Sequence, residues 1–575
     1  MKQDSPRAAT TIRRWEWLAI FLFWMLKNSQ QSGLSWLEHF DEGVYASNLF
    51  FGEATGYCFP NQHLYAPPLL PALIEWSSLL WPVSVAAKST VEMFAVYVLW
   101  NALFMAVRWF GMATTWVAIL LVITSWPRLL FSHAVLTDIP VTAWMLAAVS
   151  AFVAGLAERR WSLVILGGVL TGLAWWTKYS GWLPLAIMGT ALVVAAALPN
   201  VPFHGKRLTW LLPRLGMWGV GCLVAFVVWS PWLWSLQSRG GYSAVAVNHR
   251  GYLVGFSGWW DSARTQLRYQ SQDASIPLVV IGVCAAFLVI CWRRNPAMKT
   301  ASDVSATDAG VAPPEERFLG RIALAVWVVA LVVTIPFYRP YFRLVVPLDI
   351  PLRILIAAGV VAAIRYRVGP MDEGSSTFAV NRARLAGGDR DAWAMAVGVV
   401  AAVMLVGHLG VSLAHELRDD QTRGRGDVQP FVTVCRQLGE AMRKSARETP
   451  SLHETEPLAP SLPASTGMPI QPYDIAVYVY GEPAVMFQLR VKGFENAVPV
   501  SHLGFARPGV PPSPVPTFVV IGPHAEKSNE FPRQWAESSP RLKKLVELPA
   551  RHGWIVRYEE PDWNRRIAYT LYRVE

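Results

Sequence analysis

His39-Phe40-Asp41-Glu42-Gly43-Val44-Tyr45-Ala46 decides how this chain is read, because it sets an acidic pair just after the first apolar segment, Trp15 to Leu26. A carboxylate pair beside a bilayer is costly unless it works in water or on a polar substrate at the membrane surface. No second span follows at once. The pair opens a loop of about residues 34 to 89, longer than a simple connection needs. An aromatic-rich loop that begins with two carboxylates points to chemistry at the membrane surface rather than to a channel. Within it, Tyr45–Phe51 and Leu69–Leu80 are short apolar stretches expected to lie along the interface as helices. The prolines of His63-Leu64-Tyr65-Ala66-Pro67-Pro68-Leu69-Leu70-Pro71 impose a rigid turn into the second.

Outward from that loop, the chain supplies a membrane body. Of 575 residues, 53% are hydrophobic, 28 are Trp and only 16% are charged, against about 25% charged in a soluble protein. The apolar residues collect in runs of about 20, long enough to cross hydrocarbon as helices. Eleven spans are expected, at about 14–33, 90–107, 111–131, 139–157, 161–177, 180–198, 215–235, 276–292, 319–337, 344–364 and 392–414. The first follows Arg13-Arg14 without a small-residue cleavage site and reads as a retained anchor.

The net charge of +11 is no sign of nucleic-acid binding, because Lys and Arg gather in cytoplasmic loops and set orientation. No aromatic-basic stripe or nucleic-acid motif accompanies it. With the N-terminus inside, the inner loops carry Arg108; Arg159 and Arg160; Lys206, Arg207 and Arg214; Arg293, Arg294, Lys299, Arg317 and Arg321; then Arg365, Arg367, Arg382, Arg384 and Arg390. The reading is a multi-pass protein of the cell membrane with its N-terminus cytoplasmic. Loops at 295–318 and 366–391 are rich in Ala, Asp, Gly and Ser and read as flexible linkers.

An odd span count puts the tail outside. Residues 1–414 form the membrane domain and 415–575 a soluble α/β domain, charged and Pro-rich at 449–472 and 507–516. Phe431, Val434, Leu438 and Met442 recur at helical spacing within 429–447. Strands are expected at Ile475–Tyr480, Thr517–Ile521, Trp554–Tyr558 and Ile567–Tyr572, with a helix at Arg541–Leu548. Of the five Cys, Cys222, Cys284 and Cys291 read as small buried hydrophobes; Cys58 and Cys435 fall in outer segments and are candidates to pair. No zinc spacing is present.

With the topology fixed, the unusual polar residues fall on one face. Asp41 and Glu42 lie in the first outer loop. Asp138, in Leu136-Thr137-Asp138-Ile139-Pro140, starts the fourth span. Lys178, in Trp176-Thr177-Lys178-Tyr179-Ser180-Gly181, lies in an outer turn, and Tyr338-Arg339-Pro340-Tyr341-Phe342-Arg343 forms another. Such a set supports phosphate binding by the cations, bidentately where Arg. A carboxylate would take the proton of an attacking hydroxyl or amine. Plainer readings stand beside this one. Asp138 caps a helix with Pro140 in its first turn, Lys178 snorkels, the arginines anchor at lipid head groups, and Asp41-Glu42 is a solvated pair or a helix start. All must hold independently to explain what one shared site explains at once.

The Asp-Glu pair followed by Tyr45-Ala46, the Pro67-Pro68-Leu69 turn, Asp138-Ile139-Pro140 and Thr177-Lys178-Tyr179-Ser180-Gly181 together resemble the membrane glycosyltransferases of the GT-C fold. The nearest branches are the protein O-mannosyltransferases and the aminoarabinose transferase that modifies lipid A. The resemblance covers about 1–365 as architecture, and the aminoarabinose branch also has an outer C-terminal domain. It implies a GT-C-like fold and a polyprenyl-phosphate sugar donor. A hexosyl or pentosyl group would pass, with inversion, to a protein, lipid or glycan acceptor on the outer face. Asp41 would be the catalytic base or acceptor-positioning carboxylate, Glu42 its neighbour and Asp138 the second acid. Lys178 and Arg343, with Arg339, would bind the donor phosphate. His63, Tyr65 and His249 are candidate substrate contacts. The family often has His before Pro-Pro, where Ala66 stands here, so His63 departs from the pattern.

This scheme requires no metal or other cofactor, and the acidic residues leave a divalent ion open. The competing reading is a transporter or flippase of a lipid-linked sugar. It predicts ionisable residues near the middle of spans, whereas most here lie at span ends. Asp349 and Arg353 are exceptions, and their i,i+4 spacing lets them pair. A third reading is an assembly protein whose C-terminal domain binds a partner.

Overall fold

The computed structural model describes residue 37 and residues 39–50, 62–123, 125–198, 207–271, 312–368, 429–448, 475–494, 496–500, 515–525, 532–551 and 567–575. The chain divides into two compact units. One draws on Asn61–Ser132 and Leu136–Arg425; the other combines Met1–Pro60, His133–Val135 and Gly426–Glu575. Helix α1 (Phe40–Phe50) carries the acidic pair in its first turn and belongs to the second of these.

The larger unit is helical. It comprises α2 (Leu69–Ser78), α3 (Val83–Phe110), α4 (Met112–Ile123), α5 (Trp126–Phe131), α6 (Asp138–Glu158), α7 (Trp161–Thr177), α8 (Leu183–Ala197), α9 (Arg207–Gln237), α10 (Gly241–Arg250), α11 (Gly255–Ser271), α12 (Pro314–Thr334) and α13 (Val346–Val368). Five stretches, covering α3, α6, α9, α12 and α13, are long and apolar enough to cross a membrane; α4, α7 and α8 are shorter apolar helices. Seven of the expected spans between 90 and 364 each fall largely on one of these helices. The spans at 14–33, 276–292 and 392–414 lie outside the described residues.

The expected span at 111–131 is corrected: it is two helices, α4 and α5. The break comes at Ser125, whose side chain accepts from the Arg128 N–H at 3.3 Å and caps α5, with Pro127 in the first turn. A serine cap followed by proline starts a new helix rather than continuing the old one.

Helix α6 is the centre of this unit, since 18 of its 21 residues are buried. Beside it, Gly168 and Gly172 of α7 let α9 approach closely. A Cβ on Gly168 would lie 2.6 Å from the Gly221 carbonyl, and one on Gly172 would lie 2.5 Å from Val228. Small residues four apart are the membrane device for backbone contact where hydrophobicity gives no drive. The far end of α6 is an ionic belt. Glu316, buried in the first turn of α12, receives Arg108 through both Nε (2.8 Å) and Nη2 (2.5 Å). Arg108 also faces Glu158 at 3.9 Å, and Arg214 pairs with Glu315. Inside α13, Arg353 Nε meets Asp349 Oδ1 at 2.8 Å, so the expected pair forms; Ser125 Oγ donates to the other Asp349 oxygen at 2.5 Å.

The second unit contains a six-stranded sheet built from β1 (Gln429–Pro430), β2 (Ala476–Tyr480), β3 (Ala497–Val500), β4 (Thr517–Ile521), β5 (Leu542–Arg551) and β6 (Ile567–Val574). The order is β1-β5-β6-β4-β2-β3. β3, β2 and β4 run parallel; β6 is antiparallel to β4 and β5. Helices α14 (Phe431–Arg447), α15 (Pro483–Val491) and α16 (Pro532–Ser538) complete it. The apolar stripe read on α14 is buried at Phe431, Val434, Leu438 and Met442. Cys435 is buried on the same helix; Cys58 and the expected strand Trp554–Tyr558 lie outside the described residues.

The expected helix at Arg541–Leu548 is corrected to strand β5. Its ladder with β6 slips between Lys544 and Val546. The extra residue, Leu545, spaces the apolar side chains of Leu542, Leu545, Val546 and Leu548 in threes and fours, and a bulged strand then mimics a helix.

Candidate functional site

In the larger unit, Asp138 occupies the first turn of α6 and is 1% exposed. Its carboxylate does not cap the helix, the plainer reading kept above. Oδ1 instead takes the Lys178 ammonium at 2.5 Å. Oδ2 is buried with no hydrogen-bond partner among the described residues. The helix N-terminus favours this negative charge. The lysine is therefore tied down rather than snorkelling. Among the described residues, one of its three N–H donors is used, which leaves two for an anion.

Lys178 is placed by the way α7 ends. Its backbone turns extended at the C-cap, and a tight turn follows in which the Gly181 N–H donates to the Lys178 carbonyl at 2.8 Å. Gly181 is required there, because a Cβ would stand 2.1 Å from the Ala174 carbonyl oxygen. Behind the turn, Trp175 stacks on Trp229 at 4.1 Å and Trp176 Nε1 donates to the Val228 carbonyl at 2.6 Å. Two large rings thus clamp α7 to α9 directly beneath the lysine.

The next residue, Tyr179, organises the surroundings. Its hydroxyl donates to the His63 carbonyl at 2.5 Å and accepts from Trp232 Nε1 at 3.4 Å. Burial pushes the Tyr179 hydroxyl up to about 12, so it is a donor and not a base at neutral pH. His249 lies edge-on to Tyr179, with ring centroids 5.8 Å apart, and its Nδ1 donates to the Val245 carbonyl at 2.9 Å. Burial first, then the Lys178 charge, hold His249 below the usual histidine range. His63 is lowered too, by burial and then by Arg239. Asn248 ties α10 to the same loop by donating to the Leu64 carbonyl at 3.3 Å. Tyr65 follows, half-buried.

The arginine turn joins this cluster through aromatic rings. Tyr338 bridges Leu253, the Arg339 N–H donates to the Tyr252 carbonyl at 2.8 Å, and Tyr252 stacks on Tyr338 at 5.7 Å. His249 meets Tyr252 edge-on at 6.3 Å, and the Arg343 guanidinium lies 5.5 Å from the Tyr341 ring. A continuous path therefore runs from Asp138 and Lys178 through Tyr179, His249 and Tyr252 to Tyr341 and Arg343. Arg339 is exposed on that turn. The expected residues Asp138, Lys178, His63, His249, Arg339 and Arg343 are brought into one connected region of this unit. Tyr179 and Tyr252, which connect them, carried no role in the sequence. Their one signal was aromatic rings beside outer cations.

Asp41 and Glu42 lie in the other unit. They are neither loop residues nor solvated: Asp41 is 8% exposed and Glu42 is fully buried. Glu42 reaches back to the His39 N–H with Oε2 at 3.1 Å, and its Oε1 accepts from the Val135 N–H at 2.8 Å. The first contact is the return half of a capping box. His39 supplies the forward half, its Nδ1 accepting from the Asp41 N–H at 3.1 Å. Among the described residues, no group of three or more His, Cys, Asp or Glu is placed to hold a metal.

No protein-family model matches the sequence, and no curated protein is similar to it in sequence. Solved structures share its fold. The crystal structure of ArnT from Cupriavidus metallidurans bound to undecaprenyl phosphate is similar with a TM-score of 0.53 and 16% identity, over 96% of this chain and 97% of that one. ArnT in the apo state gives 0.53 and 17%, over 97% and 98%. The archaeal oligosaccharyltransferase AglB from Archaeoglobus fulgidus, in complex with an inhibitory peptide and a dolichol-phosphate, gives 0.47 and 11%, over 85% and 65%. The chain has a GT-C-like fold: a polytopic helical membrane body with a C-terminal sheet region.

Proposed function

We propose that the chain is a membrane glycosyltransferase that moves a sugar, hexosyl or pentosyl, from a polyprenyl-phosphate donor to a protein, lipid or glycan acceptor on the outer face. The observation that carries this reading is the pair of buried Asp138 with half-buried Lys178 at the start of α6, with two lysine donors left over among the described residues and an aromatic path to Arg343. It sits in a fold shared with ArnT, whose crystal structure holds undecaprenyl phosphate. In this reading the N-terminus is cytoplasmic and the C-terminal domain is outside, as the distribution of Lys and Arg supports.

The reaction is a single displacement. The acceptor oxygen or nitrogen forms its bond to the sugar's anomeric carbon while the carbon–oxygen bond to the phosphate breaks. The electron pair leaves with the polyprenyl phosphate, and the acceptor's proton passes to Asp41. Lys178 and Arg343, with Arg339 at the rim, bind the phosphate and neutralise the charge that develops on it. Asp138 is a positioning residue that orients the ammonium. Its second oxygen accepts a donor from the substrate. Glu42, held by two backbone N–H groups, is a positioning residue for Asp41. Tyr179 stays protonated as a donor, and His63, Tyr65 and His249 line the sugar. Inversion follows from one displacement, and no step calls on a metal.

The test is transfer by purified protein in detergent from undecaprenyl-phosphate-linked sugars, with product read by mass spectrometry. Envelope lipids and glycoproteins of a deletion strain identify the acceptor. Absence of transfer from every such donor, together with no binding of undecaprenyl phosphate, overturns the reading.

A further inference from the structure

Strands β2 and β4 are parallel neighbours whose chains continue in opposite directions, β2 through α15 to β3 and β4 through α16 towards β5. In open α/β sheets, the crevice beyond the carboxyl ends at such a switch is where ligands usually sit. Here the two edges of that crevice are joined by a polar clasp. Glu482, which follows β2, is 2% exposed. It accepts the His524 N–H at Oε1 (2.6 Å) and meets His524 Nδ1 at Oε2 (2.7 Å). His524 follows β4.

The chain's own helix α1 is seated on this clasp. The Phe40 ring lies 5.0 Å from the His524 imidazole, centroid to centroid. Gly43 abuts the first residues of α15 so closely that a Cβ would stand 2.2 Å from the Ala484 nitrogen and 2.4 Å from the Pro483 carbonyl carbon. Asp41 lies between these two points of contact. The acidic pair is therefore held at the ligand end of the C-terminal sheet by residues that come from the other end of the chain.

We propose that the C-terminal domain is the positioning element for Asp41: Glu482 fixes His524, and His524 together with the start of α15 fixes α1. Phe40, Gly43, Glu482 and His524 are positioning residues in this sense, and none need touch substrate. The proposal deepens the glycosyltransferase reading and rests on it for the role of Asp41. Its geometric half is measurable without any turnover.

The experiment compares full-length wild type, His524→Ala and Gly43→Ala in detergent, by hydrogen exchange and by steady-state transfer. The expected exchange result is amides 40–50 exchanging at least about tenfold faster in both variants, with β2 and β4 unchanged. For transfer, kcat is expected to fall about tenfold or more while the donor KM holds, because misplacing one reacting group by about 1 Å costs that much without touching the phosphate site. Should His524→Ala loosen the sheet itself, Gly43→Ala decides, since it pushes on α1 and leaves the clasp intact. Unchanged exchange at 40–50 in Gly43→Ala overturns the proposal. So does full kcat in a variant whose α1 has loosened. A wild type that transfers no sugar overturns the glycosyltransferase reading, while the exchange result still decides whether the domain holds the helix.

Discussion

Adjacent carboxylates can have opposite duties, and Asp41 and Glu42 are such a pair. Both oxygens of Glu42 are taken by backbone N–H groups, so its charge is a fixture. Asp41 is the one proposed to take the proton. Asp41→Asn is expected to lower kcat at least about a hundredfold with membrane insertion intact, because the change keeps size and removes the base. Steady-state transfer alongside a fractionation assay checks both halves, and near-normal turnover removes Asp41 from the role. On the cation side, Lys178→Ala and Arg343→Ala are expected to raise the donor KM and slow phosphate departure with the acceptor KM little changed. Arg343→Lys is expected to rescue only in part, because an ammonium lacks the planar fork. Wild-type donor dependence in both alanine variants would reduce these residues to interfacial anchors. Asp138, Lys178 and the acidic pair were legible in the sequence because charges stand out against an apolar background. The fixing of Glu42 was not, since Val135 lies 93 residues away and contributes only its backbone.

At the scale of elements, the loop holding His63 and the helix holding His249 carry a pH dependence with a definite sign. Both imidazoles are held below their usual range, burial being the larger cause in each. The fold thus prefers them neutral, while the unfolded chain takes up protons near 6.5. Their packing is complete above about pH 6.5 and is lost as pH falls through the lowered folded values. Hydrogen exchange at pH 7.5 and pH 5 should show residues 62–65 and α10 loosening at the lower pH, and His249→Gln should weaken that response. A response of unchanged size in His249→Gln would place its source elsewhere. At the opposite end of the unit, Glu316→Ala leaves the part-buried Arg108 with only the longer contact to Glu158 at 3.9 Å, and the loss is expected to lower stability by about 1–3 kcal/mol. A thermal melt in detergent that does not move contradicts this. Element types were legible where one period dominated, as in α14, or where an apolar run was long enough to span, as in α6. They failed where a local device changed the period: Ser125-Trp126-Pro127 split a span, and the bulge at Leu545 disguised a strand.

For the whole molecule, the orientation read from Lys and Arg makes a binary forecast. A reporter that works only outside the cytoplasm, fused after Glu575, is expected to be active, and a cytoplasmic one silent. The reverse would put the C-terminal domain on the inner side and require the face of the proposed site to be redrawn. The sequence carried the membrane body and the order of its described spans, because hydropathy is a property of contiguous residues. It did not carry the grouping of α1 with the C-terminal sheet, because that rests on a glycine fitting against a helix start far away in the chain. That fit has a consequence for biogenesis. At about 5–20 residues per second, roughly 440 residues of synthesis separate Gly43 from Ala484, an interval of roughly 20 to 90 seconds. Until it has passed, the acidic helix has left the ribosome and its seat does not exist. The protein is therefore built to gain its proposed base last, when translation is nearly complete, and a nascent chain halted before Gln429 is expected to be inserted but inert.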